Sequence, residues 1–308
     1  MLPHLRQAIW SRLLEAQRLL TESQTGWCLE KSDFDADDRE EVLLYNRGIS
    51  FGVSPGSGGC CFEFSLLSSA CNLANTLTRR EESDPHKAEP APQSGQAADG
   101  YERHLFQERF FSRHTTTEEL AAGQFRELGN FLSGAWMLVE AKAEGDGAEI
   151  ELERLGGFLL GSSREPLRLT KKYVWKGVDQ LTVKYRLRNE GGLPVEACFA
   201  VENNFYLPPG PDGRMVSGGR EHGLGEGWYE GLSGGIELQV PAAGFSLKLE
   251  SVRPFSAWSY PVFSAAETTG GGIIQQGNAL LCGWPVSLQP DESVECELSL
   301  NLVRHEKN

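Results

Sequence analysis

Two short segments of this 308-residue chain carry polar side chains spaced for ligand chemistry. The first, Asp33-Phe-Asp35-Ala-Asp37-Asp38-Arg-Glu-Glu41, sets carboxylates at alternate positions with a further acid at the end. That spacing lets a loop wrap a hard cation such as calcium, with Asp33, Asp35, Asp37 and Glu41 as ligands. The sixth position, where such a loop normally has glycine for its sharp turn, is Asp38. An acidic, solvated loop leading into a strand at Val42–Tyr45 gives the same pattern. The second segment is Val201-Glu-Asn-Asn-Phe-Tyr-Leu207. On a strand, Phe199, Val201, Phe205 and Leu207 point one way, while Glu202, Asn204 and Tyr206 point the other, as does Glu196. A face of Glu, Asn and Tyr combines hydrogen-bonding groups with an aromatic edge, which suits sugar hydroxyls and pyranose rings. An outward sheet face that meets water or another domain reads identically. Desolvation of Glu202 would raise its pKa toward the range of acid–base work.

Aromatic pairs extend the carbohydrate reading. Trp228-Tyr229 and Trp258-Ser-Tyr260 hold rings that could stack on the apolar faces of sugars. Trp258, flanked by Ser256, Ser259 and Tyr260, is expected at the surface. Glu202, Asn204, Tyr206, Trp228, Trp258 and Tyr260 therefore form the candidate carbohydrate-binding set. Trp284, set between Leu280-Leu281 and Leu288, reads as core, as do Trp27, Trp136 and Trp175. Arg79-Arg80-Glu81-Glu82 offers adjacent opposite charges that could clamp a carboxylate or tie two domains, a role assigned to Arg79, Arg80 and Glu81. The six histidines are scattered, and none falls at metal-ligand or triad spacing. Nucleophile-elbow, phosphate-loop and dinucleotide signatures do not occur. No catalytic residue is nominated.

These side chains need elements to position them. Leu2, Leu5, Ile9, Leu13, Ala16 and Leu20 recur in steps of three and four, one stripe of an amphipathic helix that ends in polar residues and Gly26. From residue 41 the period changes to two. Leu181, Val183, Tyr185 and Leu187 alternate with polar residues, as do Val294, Cys296, Leu298, Leu300 and Leu302. Ile236-Leu238-Val240 and Phe245-Leu247-Leu249 repeat the pattern. Turn signals fall at Asn46–Gly48, Lys176–Asp179, Glu190–Gly192 and Pro290-Asp291. Strict alternation with many glycines predicts a mainly β protein, a large antiparallel two-sheet sandwich preceded by the helix. The division is 1–25 for the helix and 26–308 for the sandwich. Within the latter, 83–100, with Pro85, Pro90 and Pro92 among small and polar residues, is expected to be a mobile insertion. Tyr101–Arg113 reads as a short helix or a bent strand, and Thr115–Glu119 as a helix-capping signal.

Composition narrows the function classes. A net charge of −14 opposes binding to nucleic acid or an anionic membrane and is compatible with neutral sugars. No apolar run approaches the roughly 20 residues that span a bilayer, and no basic-then-apolar signal pattern opens the chain. Seven cysteines without paired spacing read as reduced, mostly buried thiols, which implies the cytoplasm.

The stretch Asn72–Glu82, after the turn Pro55–Gly59 and the strand Cys60–Phe64, resembles the C-terminal domain of glycoside hydrolase family 57. The resemblance runs from Leu2-Pro-His-Leu-Arg6 through Asp33–Asp38, Glu41–Asn46 and Phe125–Asn130 to Glu202–Phe205, Gln276-Gly277, Trp284 and Leu288–Asp291. One departure is the insertion after Glu82. The family contains α-amylases and 4-α-glucanotransferases, and its C-terminal domain looks like a galactose-mutarotase-type sandwich. The resemblance implies α-1,4-glucan chemistry with retention, carried by a paired Glu and Asp on an N-terminal barrel whose motifs lie outside this sequence. The expectation is a non-catalytic domain that packs on that barrel and shapes the glucan cleft, with the 2–20 helix presenting an apolar patch toward it. The helix at the very start suggests an excised or split fragment. The alternative is a stand-alone carbohydrate-binding module or an aldose-1-epimerase-like enzyme, which would need a histidine and a carboxylate facing one cleft.

Overall fold

The computed structural model describes residues 2–80, 98–208, 212–266 and 272–305. Helix α1 (Pro3–Leu20) leads into β1 (Cys28–Ser32), β2 (Glu41–Tyr45), β3 (Ile49–Ser54), β4 (Cys60–Leu66) and the short β5 (Cys71–Asn72). β6 (Gln107–Phe111) and α2 (Thr117–Ala122) follow, then β7 (Met137–Glu144), β8 (Gly147–Leu160), β9 (Ser163–Lys176) and β10 (Gln180–Asn189). The rest is all strand: β11 (Val195–Phe205), β12 (Arg214–Ser217), β13 (Arg220–Gly223), β14 (Trp228–Val240), β15 (Phe245–Ala266), β16 (Gly272–Leu288) and β17 (Ser293–Arg304). The chain is mainly β and built of antiparallel sheets, as the alternation requires. Glu81 and residues 83–97 of the insertion lie outside the described residues. Tyr101–Arg113 resolves as β6 with an extended approach, not a helix.

Strands β1 to β5 form one sheet in sequence order, and the remaining twelve form a second. The second sheet folds over on itself because β15 changes partner along its length. Phe245–Glu250 pairs with β17, whereas Ser256–Ala266 pairs with β16. β14 follows the same bend through register shifts at Glu230–Gly235, a glycine-rich corner that tolerates the kink. One layer therefore runs through β17, β10, β9, β8 and β7, and the facing layer through β15, β16, β11 and β6, with the five-stranded sheet beside it.

Turn chemistry fixes the registers. Asn46 Oδ1 accepts from the N–H groups of Gly48 and Ile49, both at 2.8 Å, closing the β2–β3 hairpin. Gly177 and Asp291 take positive φ of 62° and 66° at the β9–β10 and β16–β17 turns. Thr116 and Glu119 build a reciprocal capping box at the start of α2.

Between the layers lies one aromatic-rich core. Phe51 meets Tyr173 and Trp175 edge-on, and Phe199 packs on Tyr185 and Trp284. Trp27, Trp136, Trp175 and Trp284 are all buried. An ion pair is enclosed with them. Lys171 Nζ lies 2.6 Å from Glu108 Oε1, both residues wholly buried, and donates to Phe106 O at 3.0 Å. Phe106 itself sits at a φ of 58°, pinned by Lys171 on its carbonyl and by Asn203 Oδ1 on its N–H.

Candidate functional site

The side chains of β11 alternate between two environments. Phe199, Val201 and Phe205 enter the main core, while Cys198 and Ala200 join a second cluster with Phe111, Trp258, Tyr260 and Leu281. α2 packs its Leu120 on that second face, with Phe125 against it. The face therefore does not meet water. Glu202 and Asn204 are fully buried, and Tyr206 is 2% exposed. This corrects the expectation of an open polar platform. Parity assigns Glu202 and Asn204 to the right face, which α2 and residues 99–106 cover, but Tyr206, one residue beyond β11, packs in the main core with Phe205 and Leu207.

Glu202 stands at the centre of a closed charge network. Its Oε1 accepts from the Tyr101 hydroxyl at 2.6 Å, Asn204 Nδ2 at 3.0 Å and Arg103 Nη1 at 3.2 Å. Its Oε2 accepts from Arg109 Nε. Arg109 also pairs with Glu127 at 3.1 Å, Arg103 with Asp99 at 2.6 Å, and Arg79 with Asp99. Burial by itself would raise the Glu202 carboxyl, yet Arg109, Arg103 and the Tyr101 hydroxyl hold it below its ordinary value. Burial and the Glu202 charge push the Tyr101 phenol well up. A carboxylate with every oxygen engaged and a depressed pKa is a lock, not a proton shuttle. His104 is held below its ordinary value by burial, and no hydrogen bond joins its ring to Glu202 among the described residues. An epimerase-type acid–base pair on this face is therefore not supported.

The aromatic candidates are also enclosed. Trp228, Trp258 and Tyr260 are 7%, 4% and 4% exposed, so Trp258 is not the surface ring that its serine neighbours suggest. Trp258 is sandwiched between Phe111 and Tyr229, and His222 stacks on Trp228 at 4.5 Å. Tyr229, named beside Trp228 but left out of the candidate set, is the open ring at 55% exposure. Arg79 is likewise no surface clamp, because it is buried on Asp99. Arg80 is exposed and pairs with Glu102 at 2.6 Å.

The acidic loop divides differently from its sequence pattern. Carboxylate oxygens of Asp33, Asp35 and Asp37 all lie within 4.8 Å of one another on the surface. Glu41 does not join them. It is buried, accepting from Phe34 N at 3.0 Å and from Ser54 Oγ at 3.2 Å, which removes it from the ligand set. Asp38 adopts a φ of 66°, supplying the left-handed turn usually left to glycine. Asp33 already accepts from the N–H groups of Asp37 and Asp38 at 3.0 and 3.1 Å.

Helix α1 lies on the sandwich by its polar side. Arg6, Leu14 and Thr21 are buried, and Gln7 Nε2 donates to Ala70 O at 2.9 Å. Its apolar stripe faces away: Leu5, Ile9, Leu13 and Leu20 are 49%, 53%, 56% and 80% exposed. That is the reverse of ordinary amphipathic packing and leaves an apolar stripe open to solvent.

The sequence matches the family described as alpha-amylase/4-alpha-glucanotransferase, C-terminal, over residues 33–98 and 84–298. The 4-alpha-glucanotransferase of Thermococcus kodakarensis is 28% identical over 310 residues, which take in 92% of this chain and 42% of that protein. The alpha-amylase of Pyrococcus abyssi is 27% identical over 319 residues, 93% of this chain and 42% of that protein. The crystal structure of the 4-alpha-glucanotransferase from Thermococcus litoralis superposes with a TM-score of 0.78 at 25% identity, covering 97% of this chain and 42% of that one. A galactose mutarotase-like protein from Clostridium acetobutylicum gives 0.60 at 9% identity, covering 91% of this chain and 99% of the other. The last likeness shows the fold alone. The chain spans about two fifths of the length of the glucanotransferases and amylase it matches.

Proposed function

Because this chain belongs to the alpha-amylase/4-alpha-glucanotransferase C-terminal family, we propose that it is the non-catalytic β-sandwich domain of an enzyme that hydrolyses or transfers α-1,4-linked glucan. It packs on the catalytic part and helps to shape the glucan cleft. The observation that carries this reading is the unburied stripe of α1. Covering the open half of each of its four aliphatic side chains would contribute on the order of 1 kcal/mol apiece. The locked state of Glu202 supports the non-catalytic part of the reading. No helix is long and apolar enough to cross a membrane among the described residues.

The chain alone is expected to leave amylose and maltooligosaccharides intact, as followed by release of reducing ends. Turnover by a clean preparation would overturn the proposal. Mixed with the separately expressed catalytic part of a relative, it should form a complex resolvable by size-exclusion chromatography. The double variant Ile9→Glu/Leu13→Glu should abolish that complex, yet change the stability of the chain by only about 0.5 kcal/mol, since neither side chain is core. A complex indifferent to these substitutions would sink the assignment of α1 as the docking element.

We further propose that Asp33, Asp35 and Asp37 take a calcium ion, with Glu41 excluded. Calcium at about tenfold its dissociation constant should stabilise the chain by about 1.4 kcal/mol, read as a rise in melting temperature. Asp35→Asn should remove the rise. An unchanged melting temperature in millimolar calcium rejects the site.

A further inference from the structure

A cleft of about 470 Å³ opens between the first turn of α1 and the ends of β11 and β16. Its volume falls within the ~300–1,000 Å³ typical of small-ligand sites. His4 comes from α1, Tyr206 from just beyond β11, and Gln275, Gln276 and Asn278 from β16. The chain has 43 acidic and 29 basic residues, yet among the described residues no Asp, Glu, Lys or Arg lines this space. A lining of amides, a phenol and an imidazole beside Leu207 and Ile274 matches a neutral polyol with apolar ring faces.

The polar groups are preset. Gln275 Nε2 donates to Leu224 O at 2.8 Å and to Asn278 Oδ1 at 3.0 Å, which orients its carbonyl as an acceptor. Asn278 Nδ2 is held on Leu224 O. Arg6 hydrogen-bonds Gln276 Oε1 and lies 5.8 Å from the centre of the Tyr206 ring, so α1 itself buttresses the lining. Among the described residues the Tyr206 hydroxyl is buried without a hydrogen-bond partner, as is Thr76 Oγ1. A buried hydroxyl left unpaired is costly and gains most from a ligand that satisfies it. Burial pushes the Tyr206 phenol up to about 12, so it remains a neutral donor at ordinary pH.

We propose that this cleft binds an α-1,4-glucan chain, with the Tyr206 hydroxyl and the Gln275 and Asn278 amides engaging sugar hydroxyls. The proposal rests on the glucan-enzyme reading and deepens it. Because His4 and Arg6 belong to the helix that carries the docking stripe, bound glucan would lie next to the catalytic part.

Calorimetric titration of the intact chain with maltoheptaose tests this, with cellohexaose as the β-linked counterpart. Maltoheptaose should bind, and Tyr206→Phe, which keeps the ring and its packing, should weaken binding roughly three- to tenfold, the worth of one neutral hydrogen bond. Asn278→Ala should weaken it further. Val252→Ser, at a charge-lined cavity elsewhere on the sheet, should leave affinity unchanged. Melting curves of each variant separate lost binding from lost folding. Two results overturn the proposal. If maltoheptaose does not bind, or Tyr206→Phe binds it equally well, while the chain still joins the catalytic part, the cleft assignment fails and the domain reading stands. If cellohexaose binds in place of maltoheptaose, with the same sensitivity to Tyr206→Phe, the α-glucan reading fails with it.

Discussion

Replacing Glu202 with glutamine should lower stability by about 3–5 kcal/mol, measured as a shift in the urea unfolding midpoint at constant slope. Among the described residues the network joins the guanidinium groups of Arg79, Arg103 and Arg109 to the carboxylates of Asp99, Glu127 and Glu202. Removing the central carboxylate takes from Arg103 and Arg109 a shared ionic partner where water cannot reach to replace it. Glu196→Gln, on the same strand but exposed, should stay within about 0.5 kcal/mol of the parent and serves as the control. The pH dependence has a definite sign. The folded-state pKa of Glu202 lies below its ordinary 4.5, so its stabilising share is present above that value and disappears as pH falls through the folded value. The difference between parent and variant should therefore close on acidification below pH 4.5. A difference that persists unchanged into strong acid would show that the carboxylate charge is not what holds the network.

The second large effect concerns the pair enclosed between the layers. Lys171→Met should cost about 3–5 kcal/mol, because it strands Glu108 in the core, whereas Lys171→Met with Glu108→Leu should recover most of the loss. Burial drives the Glu108 carboxyl up to about 7, with the Lys171 ammonium pulling the other way. A raised folded pKa means that the Glu108 share of stability is full below 4.5 and is lost as pH rises through about 7. The stability of the parent relative to the double variant should accordingly fall between those two pH values. If the single variant loses less than about 1 kcal/mol, no more than an ordinary hydrogen bond, the pair carries little of the fold.

Period-two alternation made the strands readable, because a one-residue slip would turn every apolar side chain to the wrong face. Leu181 to Leu187 and Leu298 to Leu302 are buried as their spacing demands. The same spacing held a signal that went unread. In Leu167-Arg-Leu-Thr-Lys171-Lys-Tyr173-Val-Trp175 the inward positions include Lys171, and a charge at an inward position must find a partner. What alternation cannot reveal is the covering of a face. Glu202 and Trp258 looked solvent-facing because α2 and residues 99–106, remote in sequence, lie across them. Glu41 counted as a ligand because spacing registers carboxylates and not the Phe34 amide and Ser54 hydroxyl that draw it inward. The cleft went unseen for a similar reason. Arg6, Tyr206 and Gln276 come together only through folding, and no local pattern links them.

Strand β15 belongs to both layers of the sandwich, pairing with β17 at one end and with β16 at the other. Neither half can peel away while the other keeps its ladder, so the whole body should melt as one cooperative unit. In an enzyme reshaped by recombining pieces of relatives, a crossover placed inside Phe245–Ala266 would split that seam, whereas one placed before β1 would leave it intact.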